Sequence, residues 1–151
     1  MDRDPESNGL LATCEKLGIG FVPWGPMGMG YLTQNLAAQT AFDPKSDLRS
    51  TFERFQPETI AANKPFVDRI NALARTKGAT TAQLSLAWLL AQKPFIVPIP
   101  GTGKVNHLQE NIESTKLVLN ADDLKEVDTA LAELKVHGGR MNEQQMSVVE
   151  Q

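Results

Sequence analysis

The chain has 151 residues, of which 41% are hydrophobic and 22% are charged, a composition typical of a globular protein that forms one domain. Its net charge of −3 and its scattered lysines and arginines argue against nucleic acid as a partner. The single cysteine, Cys14, excludes an intramolecular disulfide and predicts a reducing, cytoplasmic compartment. The sequence has neither a long apolar run nor a secretory signal, which argues against a membrane partner.

The first part of the chain is predicted to contain one helix, one strand and one long loop. A short helix is predicted at Leu10–Leu17, and Gly18 ends it. The continuous apolar run at 19–24 predicts a buried parallel strand that is covered on both faces. Residues 33–62 are polar and contain prolines, which predicts a loop with some helical turns.

Two helices and a second strand are predicted next. Phe66, Ile70 and Leu73 recur at i, i+4 and i+7, which predicts one buried helix face. A capping-box pattern begins at Thr80 and opens a second, apolar helix. The apolar run at 95–100 is then predicted to be another buried strand.

The last predicted elements are two helices and a tail. Leu108 and Ile112 form an apolar stripe that we expect to face a core, and Asn120 is the predicted N-cap of the final helix. Residues 138–151 are predicted to be a C-terminal tail. Strands that alternate with helices indicate a parallel α/β fold, but two strands are too few for a free-standing sheet, which indicates that part of the sheet is missing.

Each predicted strand ends in a glycine-rich loop, at residues 24–30 and 100–104. Glycines let backbone N–H groups approach a ligand closely, and the start of a following helix favours an anion. Neither loop has the spacing of a dinucleotide fingerprint or of a Walker loop. Because glycine also marks ordinary turns, either loop taken alone favours a simple turn.

A polar helix face is predicted after the second loop. His107, Glu110 and Asn111 lie at i, i+3 and i+4 and therefore share one side of a helix, with Lys104 just before it. A cation, a carboxylate and an amide that converge beyond a glycine turn could hold a phosphate and an adenine edge. The alternative is a solvated surface, which is typical of such polar groups.

Taken in order, segments of the chain resemble the aldo-keto reductase family. One segment, LGIGFVPWGPMGMGYLT, resembles the surroundings of that family's seventh barrel strand. Another, FDPKSDLRSTFERF, resembles a family loop of pattern D-x-R-x-x-x-P-R-F, with Glu53 where proline is usual. The seventh helix, the eighth strand and the cofactor helix resemble TTAQLSLAWLLAQ, IVPIPGT and HLQENI. The segment after the sixth strand and the C-terminal segment resemble RDPES and GGRMNEQQM. The resemblance covers essentially the whole chain with the family's spacing.

The resemblance implies part of a (β/α)₈ barrel, an α/β fold that usually needs about 250 residues. The chain would be a single segment, 1–151, that supplies the sixth helix, two parallel strands with their helices, and the tail at 138–151. The first six strands have no counterpart in it. The chain is therefore expected to be a truncated, C-terminal half of the barrel.

The resemblance also implies a site for NADP(H), because loops after the seventh and eighth strands often hold a phosphate in such barrels. Trp24 is expected to stack on the nicotinamide. His107 stands where many relatives have arginine, which weakens the expected contact with the 2′-phosphate because arginine carries a fixed charge. The expected cofactor-binding residues are Trp24, Gly25, Met27, Gly28, Gly101, Thr102, Gly103, Lys104, His107, Glu110 and Asn111.

The function implied by the resemblance is NADP-dependent reduction of a carbonyl to an alcohol by hydride transfer. The family's catalytic tyrosine, lysine, aspartate and histidine come from the part of the barrel that has no counterpart here. The only tyrosine, Tyr31, matches a structural aromatic, and His137 lies in the tail. The chain is therefore expected to bind the cofactor and to need an N-terminal barrel half for catalysis. The alternatives are a non-catalytic remnant that binds a nucleotide, and an interaction module that pairs or self-associates through exposed strand edges.

Overall fold

The computed structural model of the protein describes residues 1–33, 36 and 40–149. Within them the chain forms seven α-helices, numbered in chain order, and four short 3₁₀ helices. The α-helices are α1 (Asp4–Ser7), α2 (Leu10–Leu17), α3 (Pro57–Thr76), α4 (Thr81–Gln92), α5 (Val105–Glu113), α6 (Ala121–Glu133) and α7 (Glu143–Val149). The 3₁₀ helices are Gly28–Gly30, Leu48–Thr51, Glu53–Phe55 and Ser114–Lys116.

The two predicted strands run side by side but form no regular sheet. Phe21 pairs with Ile96, and Trp24 with Ile99, as isolated parallel bridges. Prolines in both segments remove N–H groups that a continuous ladder of hydrogen bonds needs. The prediction of an α/β partial barrel with two parallel strands is therefore wrong, because the described residues form helices joined by extended and turn segments.

The predicted burial of these two segments on both faces is also wrong. Ile96 is 5% exposed, whereas Val97 and Ile99 are more than half exposed. Ile19 and Val22 on the first segment are likewise exposed. The paired segments therefore have one face covered by the protein and leave apolar side chains in solvent.

Several helix boundaries lie where local sequence signals placed them. α2 has the predicted bounds and ends at Gly18, whose φ of 65° is left-handed. The predicted N-caps Thr80 and Asn120 each accept a hydrogen bond from a backbone N–H in the first turn of α4 and α6. These predictions are confirmed.

The helix α3 begins earlier than the sequence indicated. Residues 57–62, predicted as part of a loop with some helical turns, form its first turns. Pro57 suits this start because the first N–H of a helix has no helical partner. Gln56 precedes it in extended conformation and donates from its side chain to the carbonyls of Ser50 and Phe52, which closes the preceding loop.

The main core lies between α3, α4 and α6. Phe66, Ile70 and Leu73 of α3 are buried as predicted, and Leu84 of α4 and Val127 of α6 pack with them. Burial of each such side chain contributes roughly 1.5–3 kcal/mol to folding. This core holds α4, which leads directly into the second extended segment.

An aromatic cluster lies beside this core and is formed by Tyr31, Phe52, Phe55 and Ile60. The rings of Tyr31 and Phe55 meet edge to face, with centroids 5.4 Å apart. The cluster joins the end of the first glycine-rich loop to the loop that precedes α3.

The helix α5 has the opposite orientation to the one predicted from its apolar stripe. Leu108 and Ile112 are 49% and 56% exposed, so the expectation that they face a core is wrong. Asn111 is instead the buried residue, and its backbone carbonyl accepts from the Ser114 hydroxyl. α5 therefore packs its polar side inward, because its position is set by its contact with α4 rather than by its own periodicity.

The tail at 138–151 contains α7 and is attached to the body at its first residue. Gly138 has a φ of 77°, and a Cβ there would lie 2.7 Å from the Arg54 Cα, so the contact requires glycine. The Gly138 carbonyl accepts two hydrogen bonds from the Arg54 guanidinium. Among the described helices, none has the length and apolar character to cross a membrane.

Candidate cofactor-binding site

The two glycine-rich loops lie next to each other. Trp24 bridges to Ile99 in parallel, and the Ile99 N–H donates to the Pro23 carbonyl at 3.3 Å. Because the paired segments run in the same direction, the loops that follow them leave from the same end. The family resemblance assigned both loops to one site, and the structure places the ends of the two segments side by side.

The first loop is a series of left-handed turns. Gly25 and Gly28 have φ values of 58° and 59°, and the Gly28 N–H donates to the Gly25 carbonyl at 2.8 Å. Met29 also adopts a left-handed φ of 56°, which is uncommon for a side-chain-bearing residue. A Cβ built on Gly25 would meet nothing within 4 Å, so the backbone there is open to an approaching ligand.

The second loop is open and leads to a cation. Gly101 and Gly103 are exposed, and neither has a neighbour within 4 Å of a built Cβ. The Thr102 hydroxyl accepts from the Lys104 N–H at 3.1 Å, which shapes the turn before α5. Lys104 is exposed and is not in any ion pair of the described residues, so its ammonium is available to an anion.

The predicted polar face of α5 has an unpaired donor. His107 and Glu110 are half-buried, and Asn111 is 6% exposed. The Asn111 Nδ2 has no hydrogen-bond partner among the described residues, although buried amide groups usually have one. The Glu110 backbone carbonyl accepts from the Gln83 side chain at 3.4 Å, which ties this turn of α5 to the start of α4.

Trp24 borders a large cavity. Its side chain is exposed, and one face of the indole is therefore available for stacking. The cavity has a volume of about 690 Å³. Its lining includes Phe21, Trp24, Gly25, Leu84, Trp88 and Ile96.

The side chains at these loops fit a dinucleotide that carries phosphates. The open glycine backbone and the unpaired Lys104 ammonium supply donors and a cation, as phosphate oxygens require. The exposed indole of Trp24 adds a stacking surface at the start of the first loop. The structure therefore brings the two glycine loops to the same end of the paired segments, with α5 following the second loop.

Tyr31 does not belong to this open region. It is 1% exposed, its hydroxyl donates to the Thr59 carbonyl at 3.4 Å, and it accepts from the Asn63 Nδ2 at 3.1 Å. Burial raises the pKa of the Tyr31 hydroxyl. A buried phenol with both hydrogen bonds used within the protein is a structural group, as its sequence position indicated.

Two arginines near the site were missed by the sequence analysis. Arg49 contacts the first glycine loop, and its spacing from Asp47 in the D-x-R pattern was a visible signal. Arg54 forms a two-pronged ion pair with Asp2, at 2.8 Å for each contact, and no local pattern indicates a partner so far along the chain.

Comparison with known proteins decides the family. The sequence model of the aldo/keto reductase family matches residues 1–132. The chain belongs to the aldo/keto reductase family. Among curated relatives of this aldo/keto reductase chain, Probable aldo-keto reductase 1 of Glycine max is 38% identical over 138 residues, which are 91% of this chain and 39% of that protein. An aldo-keto reductase of Gibberella moniliformis (strain M3125 / FGSC 7600) is 36% identical over 139 residues, 91% of this chain and 42% of that protein.

Solved structures of the family are similar in fold to this aldo/keto reductase chain. A thermostable aldo-keto reductase, crystallised with the inhibitor epalrestat, is 32% identical with a TM-score of 0.56 over 85% of this chain and 36% of that one. The glycerol dehydrogenase of Gluconobacter oxydans is 26% identical with a TM-score of 0.74 over 90% of this chain and 41% of that one. The chain thus spans about two fifths of the length of the relatives it matches.

Proposed function

We propose that this chain forms the C-terminal, NADP(H)-holding portion of an aldo-keto reductase that reduces carbonyls to alcohols. The observation that carries the proposal is the parallel pairing of Trp24 with Ile99, because it sets two open glycine loops side by side. One loop alone is an ordinary turn, whereas two adjacent loops followed by an unpaired lysine make a surface suited to an extended, phosphate-bearing molecule. The family supports the same class of ligand.

Different residues of the site would contact different parts of the cofactor. Trp24 would stack on the nicotinamide, and the backbone at Gly25, Met27 and Gly28 would hold the pyrophosphate. The loop at 101–104 would hold the 2′-phosphate. The resulting selection of NADP(H) over NAD(H) would rest mainly on Lys104.

The helix α5 would bind the adenosine end. Glu110 and Asn111 would contact the adenine, and the Asn111 Nδ2, which the protein encloses, would have to turn outwards to donate to a ring nitrogen. His107 would lie near the 2′-phosphate as a weaker partner than the arginine of many relatives. The contact of Gln83 with the Glu110 carbonyl would keep this turn in place.

The chemistry of reduction needs groups that these residues do not supply. The bound cofactor supplies a hydride, and a proton donor must lie within hydrogen-bond reach of the carbonyl oxygen. Tyr31 is enclosed by Asn63 and Thr59 and cannot serve as that donor without leaving its position. We therefore assign the proton donor to a complementary N-terminal segment of the enzyme, and to this chain the binding and orientation of the cofactor.

Binding is tested by fluorescence of a chain whose only tryptophan is Trp24. In the Trp88→Phe chain, NADPH is expected to quench the Trp24 emission in a saturable manner, because the nicotinamide would lie against the indole. The control is free N-acetyltryptophanamide under the same conditions, which should show only the unsaturable loss caused by light absorption. An equal, unsaturable loss in the chain and in the control would remove the binding proposal.

A second candidate function is a non-catalytic module that binds a nucleotide or a partner chain. The exposed apolar side chains of Ile19, Val22 and Val97 favour it, because such surfaces commonly bind another protein. Mixing the chain with a separately produced N-terminal segment of the same enzyme separates the two candidates. Restored NADPH-dependent carbonyl reduction supports the enzymatic proposal, and a folded but inactive complex supports the module.

A further inference from the structure

The loop that precedes α3 reaches the first glycine loop through a single side chain. The Arg49 Nη1 donates to the Met29 carbonyl at 3.2 Å, across 20 positions of sequence. A Cβ built on Gly30 would lie 3.4 Å from the same Nη1, so the guanidinium lies directly against the loop backbone. Met29 is the non-glycine residue of the described chain that has a left-handed φ.

The guanidinium of Arg49 is also held in place by Asp47. The Asp47 carboxylate accepts from its Nε at 3.0 Å and from its Nη2 at 2.6 Å. Asp47 also accepts from the Arg49 backbone N–H, which fixes the 3₁₀ turn that carries the arginine. Two of the three guanidinium nitrogens are thus used by Asp47, and Nη1 remains for Met29.

Two aromatic rings also lie close to the Arg49 guanidinium. The Arg49 Cζ lies 4.4 Å from the Phe42 ring centroid and 5.9 Å from the Phe55 centroid. Phe55 belongs to the buried aromatic cluster, so the arginine is braced against a rigid part of the fold. A side chain oriented by a carboxylate and by packed rings can impose a backbone conformation on a neighbouring loop.

We propose that Arg49 is a positioning residue that holds the first glycine loop in the conformation that binds the cofactor. By fixing the Met29 carbonyl, it keeps Met29 in its left-handed turn and so keeps the Gly25–Gly28 backbone open towards the pyrophosphate. This inference rests on the proposed function, since it concerns the same site.

The inference is tested by two measurements on the Arg49→Ala and Arg49→Lys chains. The first is amide hydrogen exchange of Tyr31 and Leu32 in the ligand-free chain, because their N–H groups bond to the carbonyls of Gly28 and Met27 and report the loop directly. Exchange is expected to be about tenfold faster in Arg49→Ala and intermediate in Arg49→Lys, which keeps the charge but loses the two-pronged contact with Asp47.

The second measurement is the Kd of NADPH and of NADH. Both are expected to rise by the same factor, about tenfold, in Arg49→Ala, because the pyrophosphate is common to both nucleotides. The matched control is Arg69→Ala, which removes an exposed arginine of α3 whose nearest carboxylate, Glu126, is 4.0 Å away, and which should change neither measurement.

The outcomes separate this inference from the proposed function. Unchanged exchange in Arg49→Ala overturns the role of Arg49, whether or not the chain binds a nucleotide. Faster exchange with unchanged Kd values also overturns it, while leaving the proposed function intact. If the unaltered chain binds neither nucleotide, the proposed function fails, and the role of Arg49 in cofactor binding is overturned with it. A loss confined to NADPH would assign Arg49 to the 2′-phosphate and overturn its role as a positioning residue.

Discussion

Asn63 joins three distant parts of the chain through one side chain. It is completely buried in α3, its Nδ2 donates to the Tyr31 hydroxyl and to the His137 carbonyl, and its Oδ1 accepts from the His137 N–H at 2.8 Å. The residue after the first glycine loop, α3 and the residue before the tail therefore share one set of hydrogen bonds. No sequence signal identified Asn63, because its partners lie 32 and 74 positions away.

Removing this side chain should cost more than removing one of its partners. We expect Asn63→Ala to lower the free energy of unfolding by about 3 kcal/mol, because it removes two hydrogen bonds to the His137 backbone and one of the two at the Tyr31 hydroxyl. Tyr31→Phe should cost only about 1 kcal/mol, since Asn63 keeps its contacts with His137. Urea unfolding measures both, with the exposed Asn106→Ala as control. Equal losses in Asn63→Ala and Asn106→Ala would contradict the role given to Asn63.

The ion pair of Arg54 with Asp2 gives the fold a dependence on pH. Burial alone would raise the pKa of the Asp2 carboxyl, but hydrogen bonds and charge from Arg54 outweigh burial and lower the pKa below its usual value of 3.8. Because the folded pKa is lower than the unfolded one, the pair stabilises the fold above the unfolded value. That contribution is lost as the pH falls through the folded pKa.

Asp2→Asn should therefore reduce the stability at neutral pH and flatten its decline on acidification. The measurement is the free energy of unfolding in urea between about pH 2 and pH 7. The control is Asp68→Asn, which breaks an exposed pair with Lys64 and should have little effect at neutral pH. An unchanged acid profile in Asp2→Asn would show that the pair contributes nothing.

At the scale of elements, local signals predicted helix ends better than helix faces. Gly18 and the capping box at Thr80 act on backbone groups within one helical turn, so the local sequence is enough to predict where α2 ends and α4 begins. The prediction that Leu108 and Ile112 face a core was wrong because the buried side of α5 depends on which of its faces packs against α4. The strand prediction failed for a similar reason: apolar content favours strands, but the prolines allow only isolated bridges.

The capping box of α4 provides a test at this scale. Thr80→Ala should lower the free energy of unfolding by about 1 kcal/mol, because the Gln83 N–H loses its acceptor at the start of a helix that carries core residues. Thr80→Ser keeps the hydroxyl and should stay close to the unaltered chain. Thermal unfolding of the three chains is the measurement, and equal losses in Ala and Ser would place the cost in lost packing of the threonine methyl group.

For the whole molecule, the family prediction is confirmed, the predicted architecture is wrong, and the site residues stay a prediction. The glycine loops and the α5 residues were predicted from motifs and from the family resemblance. The two loops lie side by side because the segments before them pair, and the sequence predicted that pairing as a regular sheet, whereas the structure has isolated bridges. The support of the first loop by Arg49 and Asn63 depends on contacts between segments far apart in sequence. Such contacts are set by packing, which one sequence alone does not display.

The exposed face of the paired segments should control self-association. We expect the chain to form concentration-dependent dimers or larger species, because Val97 and Ile99 expose apolar side chains next to backbone groups without a sheet partner. Ile99→Lys should shift the distribution towards monomer in sedimentation velocity. Val118→Lys, an exposed apolar position outside these segments, is the control. A distribution that responds equally to both variants would mean that the paired segments are not the contact.

The central claim is that the two adjacent loops bind a nucleotide that carries a 2′-phosphate, and calorimetric titration tests it most directly. The unaltered chain should bind NADPH more tightly than NADH, and Lys104→Ala should weaken NADPH by about tenfold while leaving NADH unchanged, because Lys104 is proposed to contact only the 2′-phosphate. Lys125→Ala removes an exposed lysine of α6 and should bind both nucleotides normally. Absence of NADPH binding by the folded chain, or an equal effect of the two lysine variants, would contradict the claim.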